Sequence, residues 1–335
     1  MPDRAARIIA FLAATPWAGA ERAPLAGDAS PRRYERLRDP ESGATAVLMD
    51  APPGPGEDVR PFERLARHLR DMGLSAPEIL ASDAEAGLLL IEDLGDALFI
   101  RRTAEAPEQE ETLYRAAADV LVELQRHPAP ALETPTPQQL AAMTDLAFTH
   151  YAAAITGPCD EMVMERFQSR FADILGEVLS AAPVLALRDY HAENLLWLER
   201  RAGAARVGLL DFQDAILTHP AYDLVSLLQD ARRDVSPAIE QATIAHYIAR
   251  TGSDPQRLAT ACAVLGVQRN LRILGVFARL ARERDKPRYL DLLPRVWKHL
   301  ARGLDHPALA GVADTLWREI PQPSPQAVAK LSRRP

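Results

Sequence analysis

Residues Leu185–Leu198, "LALRDYHAENLLWL", set Arg188, Asp189, Tyr190, His191, Glu193 and Asn194 between two apolar runs. Taken alone, such a polar knot fits a metal site, an acid/base centre or an ordinary turn. Further along, "ARVGLLDFQDAIL" (Ala205–Leu217) carries Asp211 at the end of another apolar run. An Asp, an Asn five positions later, and a strand followed by Asp-Phe have a mechanical rationale in phosphoryl transfer. In that chemistry Asp189 accepts or orients the proton of the attacking hydroxyl. Asn194 offers a neutral oxygen, and Asp211 an anionic one, to a magnesium ion bridging nucleotide phosphates. Magnesium prefers hard oxygens and keeps several waters, so few protein ligands suffice. The transition state is loose, so positioning and charge neutralisation carry most of the catalysis. A zinc reading of His191 is disfavoured, because no second His or Cys stands at ligand spacing.

These residues need elements to hold them. Residues 23–95 read as strand-rich with one helix. Two β-like stretches, Arg33–Leu37 and Ala44–Asp50, flank a polar turn with Asp39, Pro40, Ser42 and Gly43. In "PFERLARHLRDMG" (Pro61–Gly73), Phe62, Leu65, Ala66 and Leu69 share a helical face and Gly73 is a stop. Two more short strands flank a turn near Asp83–Gly87. Together these predict a small antiparallel sheet with one packed helix. After Gly95 the pattern turns helical: 108–127, 138–155 and 160–181, with the proline-rich "HPAPALETPTP" as a loop. The runs Val184–Leu187, Leu195–Leu198 and Val207–Leu210 predict short strands inside this helical region. Helical periodicity resumes from Tyr222 to Ala301, and the tail "PQPSPQAVAKLSRRP" is proline-rich and reads as frayed at its end. The stretch "IIAFLAATPWAGA" (Ile8–Ala20) is too short to span a membrane and predicts a first amphipathic helix.

The 335 residues are 47% hydrophobic and 25% charged, with a net charge of -7, which argues against a nucleic-acid binder. Lys and Arg number 21 against 37 Asp and Glu in residues 1–230, but 18 against 9 in residues 231–335. That excess is either a solvated arginine-rich surface or a set of arginines facing an anionic ligand. The two cysteines, Cys159 and Cys262, imply neither a disulfide framework nor a zinc site, so a reducing cytoplasm fits. No membrane partner is expected, and the oligomeric state is not encoded.

The chain resembles the aminoglycoside/choline phosphotransferase family, which has a protein-kinase-like fold. "RDYHAENLL" is similar to that family's His-Gly-Asp-Leu-His-x-x-Asn loop, with Leu187 in place of the first His and Arg188 in place of the small Gly. "LLDFQDA" matches its metal-binding Asp segment, and "HPAYDLVSLL" (His219–Leu228) the Pro-x-x-Asp-Leu-Ala segment that follows. "GDASPRRYERL" (Gly27–Leu37) stands at the nucleotide loop and "LLLIEDLGD" (Leu88–Asp96) at the hinge between lobes. The resemblance implies an α+β, bilobal fold. A small β-rich N-lobe would span residues 1–95, with its hinge near 92–96. A larger, mainly helical C-lobe would span 96–335, with a catalytic loop at 187–198 and a metal segment at 209–215. Several segments, "VLMDAPP" and "VQRNLRILGVFARL" among them, look like one bacterial subgroup: anomeric kinases of N-acetylmuramate and N-acetylglucosamine in cell-wall sugar recycling. The implied reaction is phosphorylation of a sugar C1 hydroxyl with ATP and Mg2+.

The same resemblance assigns roles to further residues. His191 braces the catalytic loop and Asp223 ties it down from the following helix. Glu193 is either a solvated loop residue or a contact to sugar hydroxyls. Gln213 and Asp214 either reach the sugar or brace their loop, and bracing is the preferred role for Asp214. Ser30, Arg32 and Arg33 supplement a glycine-poor phosphate loop, and strand alternation turns one of the two arginines outward. Glu92 and Leu94 read an adenine through their backbone. Met49 occupies the third-strand position where related folds carry Lys or Arg. Either the register is misplaced or an arginine of the nucleotide loop substitutes, and Glu63 then lacks its usual partner or pairs with that arginine. Arg232, Arg233, Arg269 and Arg272 are candidates for meeting the muramate lactyl carboxylate. Rival readings are an aminoglycoside, choline or homoserine kinase, and a nucleotide-binding pseudokinase.

Overall fold

The computed structural model describes residues 4–25, 32–54 and 57–333. The chain forms two compact units, Met1–Glu105 with Glu193–Asp214, and Ala106–Ala192 with Ala215–Pro335.

The first unit is built on an antiparallel sheet. Its strands β1 (Glu21–Leu25), β2 (Arg33–Arg38), β3 (Thr45–Asp50), β4 (Ile79–Asp83) and β5 (Leu88–Glu92) lie in the order β1-β2-β3-β5-β4. Helix α1 (Arg4–Ala13) buries Ile8 and Leu12 in a cluster with Leu37, Ala46, Leu48, Leu88 and Leu90. Each such aliphatic side chain removed from water contributes about 1.5–3 kcal/mol. Strand residues of one parity face α1, so Val47 and Met49 belong to the other face. Helix α2 (Arg60–Asp71) buries Phe62, Leu65, Ala66 and Leu69, as the periodicity predicted. Gly73 ends it at φ +77°, donating its N–H to the Arg70 carbonyl at 2.8 Å. A third helix, α3 (Phe99–Glu105), closes the N-terminal stretch.

Four short strands follow later in the chain: β6 (Val184–Ala186), β7 (Leu195–Trp197), β8 (Val207–Leu209) and β9 (Ile216–Thr218). The pair β7–β8 belongs to the first unit and β6–β9 to the second. The first unit runs on to Glu105 and takes back Glu193–Asp214, because its own backbone satisfies that hairpin. Trp197 N–H donates to the Ala97 carbonyl at 2.8 Å and Leu209 N–H to that of Ser75 at 2.9 Å. The Ser75 hydroxyl donates to the Ala205 carbonyl at 2.5 Å.

In the second unit, α4 (Glu110–Leu124) packs on α9 (Pro237–Thr251). The helix expected at 138–155 is broken into α5 (Pro137–Ala142), a π-helical turn (Ala147–Ala152) and α6 (Ala153–Thr156). Thr136 starts it with a capping box to Gln139. The interruption lies where the long helix α10 (Pro255–Glu283) presses against the segment, and such wide turns form where a ladder must yield. Helices α7 (Glu161–Val178), α8 (Ala221–Leu228), α11 (Leu293–Leu304) and α12 (Ala310–Glu319) complete this layer. The tail carries a helix before its end, and residues 334–335 lie outside the described residues. Ser324 caps α13 (Pro325–Leu331), whose Ala327 and Leu331 are buried. Helix α10 is long and apolar enough to cross a membrane, but two-thirds of its most apolar stretch is buried within the fold, as in a core helix.

Gly275 makes the contact between α10 and the broken segment possible. A Cβ there would meet the Leu146 carbonyl carbon at 2.2 Å, so backbone would have to move. Gly275→Ala is expected to cost about 3 kcal/mol, the upper end for overpacking. The check is a lowered urea midpoint followed by Trp297 and Trp317, which pack together in this unit.

Candidate active site

The loop bearing Asp189 belongs to the second unit. It leaves β6, which is pinned to β9 through Val184 against Thr218 and Ala186 against Ile216. The Asp189 N–H then donates back to the Leu187 carbonyl at 2.9 Å, with Arg188 between them at φ +71°. This is a γ-turn of the strained hand. It persists because its neighbours hold it on both sides. Buried Asp223 on α8 accepts the N–H of Leu187 at 2.5 Å and of Arg188 at 2.9 Å, and the Ser226 hydroxyl donates to the Arg188 carbonyl at 3.0 Å. Burial pushes the Asp223 carboxyl up to about 6 against the opposing pull of those two N–H groups.

The turn leaves the Asp189 side chain 46% exposed, with the Arg269 guanidinium 4.0 Å from its Oδ1. Two buried side chains anchor the next residues. The Tyr190 hydroxyl donates to the Ala117 carbonyl at 2.8 Å, and Asp230 accepts the Ala192 N–H at 3.3 Å. His191 is buried, with Nε2 3.3 Å from Arg232 Nη1. Burial and the nearby Arg232 and Arg269 charges hold its pKa well below the ordinary value, so the imidazole is neutral at pH 7.

Asn194 and Asp211 lie in the first unit, at one end of the β7–β8 hairpin. Leu195 pairs with Leu209, and the Leu210 N–H donates to the Asn194 carbonyl at 3.0 Å. Asp211 follows at φ +56°, in a conformation Asp tolerates better than most residues. Phe212 is fully buried and stacks on Phe62 of α2, ring centroids 4.8 Å apart. That stack fixes the turn from which Asp211 projects. Gln213 Nε2 donates to Asp211 Oδ1 at 2.8 Å, which ties Gln213 to Asp211; Asp214 is exposed and Glu193 half-buried. An amide oxygen and a carboxylate, with no thiolate or imidazole between them, form a hard donor set that suits Mg2+.

The nucleotide-loop residues divide. Ser30 lies outside the described residues. Arg33 is exposed, whereas Arg32 is half-buried, its Nε 3.0 Å from Glu57 Oε2. Burial raises the Tyr34 pKa, and the charges of Asp211 and Glu57 raise it further against Arg32. Tyr34 therefore feels the charge of Asp211 as well as that of Arg32. Met49 stands opposite Tyr34 and Leu89 with 1% exposure, so the register holds and the position is core. Glu63 pairs with Arg67 and accepts from the Ser82 hydroxyl at 3.2 Å, not with a nucleotide-loop arginine.

At the expected hinge, Glu92 is already committed. Its N–H donates to the Glu78 carbonyl at 2.8 Å and its carboxylate is shared by Arg70 and Arg201. The expectation that its backbone reads an adenine is corrected for its N–H. Leu94 packs over the bare backbone of Gly208, where a Cβ would come within 3.2 Å of Leu94 Cδ1. Sequence reasoning missed Tyr34, Glu57, Ser226 and Asp230. Ser226 had a signal, since it lies three residues after Asp223 on one helix face.

The family model described as phosphotransferase enzyme family matches residues 21–261. The chain belongs to the phosphotransferase enzyme family. N-acetylmuramate/N-acetylglucosamine kinase of Caulobacter vibrioides is 39% identical to this phosphotransferase, over 95% of this chain and 97% of its own length. The kinase of that same name from Pseudomonas aeruginosa is 31% identical over 90% and 89%. Among solved structures, the GDP complex of aminoglycoside 2'-phosphotransferase-IIIa matches with TM-score 0.61 at 15% identity, covering 90% of this chain and 99% of its own. Plasmodium vivax ethanolamine kinase matches with TM-score 0.60 at 13% identity, covering 88% and 84%. The phosphotransferase thus has the α+β, kinase-like fold its motifs predicted.

Proposed function

We propose that this phosphotransferase moves the γ-phosphoryl group of ATP to the anomeric C1 hydroxyl of N-acetylmuramate or N-acetylglucosamine, giving the sugar 1-phosphate, in the cytoplasm during cell-wall recycling. The geometry that carries the reading is the γ-turn that Asp223 and Ser226 lock so that Asp189 faces outward. The near full-length similarity to the Caulobacter vibrioides kinase supports the choice of sugar. In the reaction the sugar oxygen attacks the γ-phosphorus, the bond to the β,γ-bridging oxygen breaks, and the hydroxyl proton passes to the Asp189 carboxylate. Asn194 and Asp211 would hold Mg2+, which would neutralise charge on the phosphates when bound.

Arg32 supplies the cation that Met49 does not. Its guanidinium is oriented by Glu57, 3.0 Å away, beside Tyr34, which feels the charge of Asp211. Arg32→Ala is expected to lower kcat/KM for ATP by about 10-fold or more, the loss typical of a charge-assisted hydrogen bond. Arg33→Ala should stay within about twofold, because that side chain faces solvent. Steady-state titration of ATP at saturating sugar checks both.

The reading itself is tested by ADP release with a panel of acceptors, and by phosphorus NMR of the product. N-acetylmuramate or N-acetylglucosamine should stimulate turnover and yield a phosphate on C1. Stimulation by aminoglycosides, choline or homoserine instead would sink it.

A further inference from the structure

Of the four arginines considered for an anionic ligand, Arg269 has a defined place beside the candidate proton acceptor. Arg233 is taken by Glu110 at 2.7 Å and by the Tyr114 hydroxyl, Arg232 sits against His191, and Arg272 meets the sulfur of Met143 at 3.5 Å. Arg269 brings Nη2 to 4.0 Å from Asp189 Oδ1, and both residues belong to the second unit. Packing holds the guanidinium there. It lies over the Tyr222 ring, 5.6 Å from the centroid, and Tyr222 adjoins the Asp223 that clamps the γ-turn. On α10 its two neighbours are buried and anchored. Gln268 Nε2 donates to the Leu140 carbonyl at 2.9 Å, and Asn270 Nδ2 to Gln229 Oε1 at 2.7 Å.

The Arg269 side chain is only 12% exposed, its Nε is buried without a hydrogen-bond partner, and 4.0 Å is too long for a hydrogen bond to Asp189. A guanidinium does not give up its proton, so burying it with a donor unused carries a cost that an arriving anion offsets. A pair built to hold the carboxylate would close to about 2.8 Å. Here Tyr222 and α10 keep the two groups apart.

We propose that Arg269 is a catalytic residue that donates to the equatorial oxygens of the transferring γ-phosphoryl group, so that the second unit supplies a cation of its own to the reaction. The assignment rests on the reading given under Proposed function. In that reaction the attacking oxygen sits on Asp189 and the phosphorus lies one bond beyond it. The phosphoryl oxygens then come within reach of a guanidinium 4.0 Å from that carboxylate. Arg269 keeps its protons throughout, and the hydroxyl proton still passes to Asp189. A donor fixed in advance where charge develops lowers the barrier without reorganising at the moment of transfer. The lactyl carboxylate of N-acetylmuramate has the same charge chemistry. The two acceptors separate these sources, since N-acetylglucosamine receives the same phosphoryl group and carries no lactyl carboxylate.

The test measures both sugars with Arg269→Gln and Arg269→Lys enzymes. For Arg269→Gln, kcat should fall by about 100-fold on each sugar, the lower end for removing one donor to a developing oxyanion. KM for ATP and for each sugar should stay within about threefold, which also reports that the variant is folded. Arg269→Lys should recover part of the loss. Single-turnover rates with ATP and with its γ-thio analogue supply a readout that a purely structural role would not move. A guanidinium bonds sulfur more weakly than oxygen, so the wild-type preference for ATP should narrow in Arg269→Gln. A loss confined to N-acetylmuramate would overturn the assignment and place Arg269 on the lactyl carboxylate. A kcat within about threefold of wild type on both sugars would overturn it too, as would a large loss with the thio preference unchanged. If wild type turns over only another hydroxyl acceptor, the choice of sugar falls, and the same ratios on that acceptor decide Arg269. No turnover on any acceptor overturns both.

Discussion

Asp189→Asn enzyme is expected to melt within about 2 °C of wild type and to lose about 10^3-fold in kcat. The side chain is 46% exposed, and the γ-turn is held through the backbone, by Asp223 and Ser226. An amide of the same size therefore costs little in packing. It has no basic oxygen to take the proton of the attacking hydroxyl, and a positioned general base is worth about 10^2–10^4 in rate. KM for the sugar should move little, since the loss is confined to the transition state. ADP release and product formation at saturating ATP and sugar give the answer. Equal rates for wild type and variant would move the proton acceptor elsewhere. Equal and negligible rates on every sugar tried would support a pseudokinase.

The second large effect belongs to Asp223. Asp223→Ala leaves two N–H groups, those of Leu187 and Arg188, without their acceptor. An unsatisfied buried donor costs about 1–3 kcal/mol, so the variant should be less stable by roughly 2–4 kcal/mol at pH 5. It should also lose about 100-fold in kcat, because the turn that aims Asp189 is no longer clamped. The deficit depends on pH in a defined direction. The carboxyl rises on folding from its ordinary 3.8 to about 6, so the folded protein holds this proton more tightly than the unfolded chain. Its contribution to stability is fully present below about pH 4 and is lost as pH rises through 6. Between pH 5 and 7 the wild type gives up roughly 1 kcal/mol that the Ala variant, lacking the group, does not. The destabilisation by Asp223→Ala should therefore shrink by roughly 1 kcal/mol over that range. Urea unfolding followed by Trp297 and Trp317 at the two pH values measures it, and a deficit that grows with pH would refute it.

The sequence carried the local half of this architecture. The spacing of Asp189, Asn194 and Asp211, the strand runs before them, and the face of α2 built from Phe62, Leu65, Ala66 and Leu69 are all short-range patterns with periods of 2 or 3.6. The turn at Gly73 and the proline-led helix starts have causes within a few residues as well.

Tertiary structure decided what depends on distant neighbours. A continuous helical period at 138–155 gave no sign of the π-helical turn, since α10 brings Gly275 against it from more than a hundred residues away. The proline-rich tail concealed α13, which needs burial of Ala327 and Leu331 to hold so short a helix. Membership of Glu193–Asp214 in the first unit follows from hydrogen bonds to Ser75 and Ala97 that no periodicity encodes. The choice among the arginines is of the same kind. Composition showed an excess of positive charge after residue 230, but only packing shows that Glu110 and Tyr114 take Arg233, while Arg269 comes within 4.0 Å of Asp189. Residue types fix which chemistry is available, and long-range packing fixes which copies of a residue type are placed to use it.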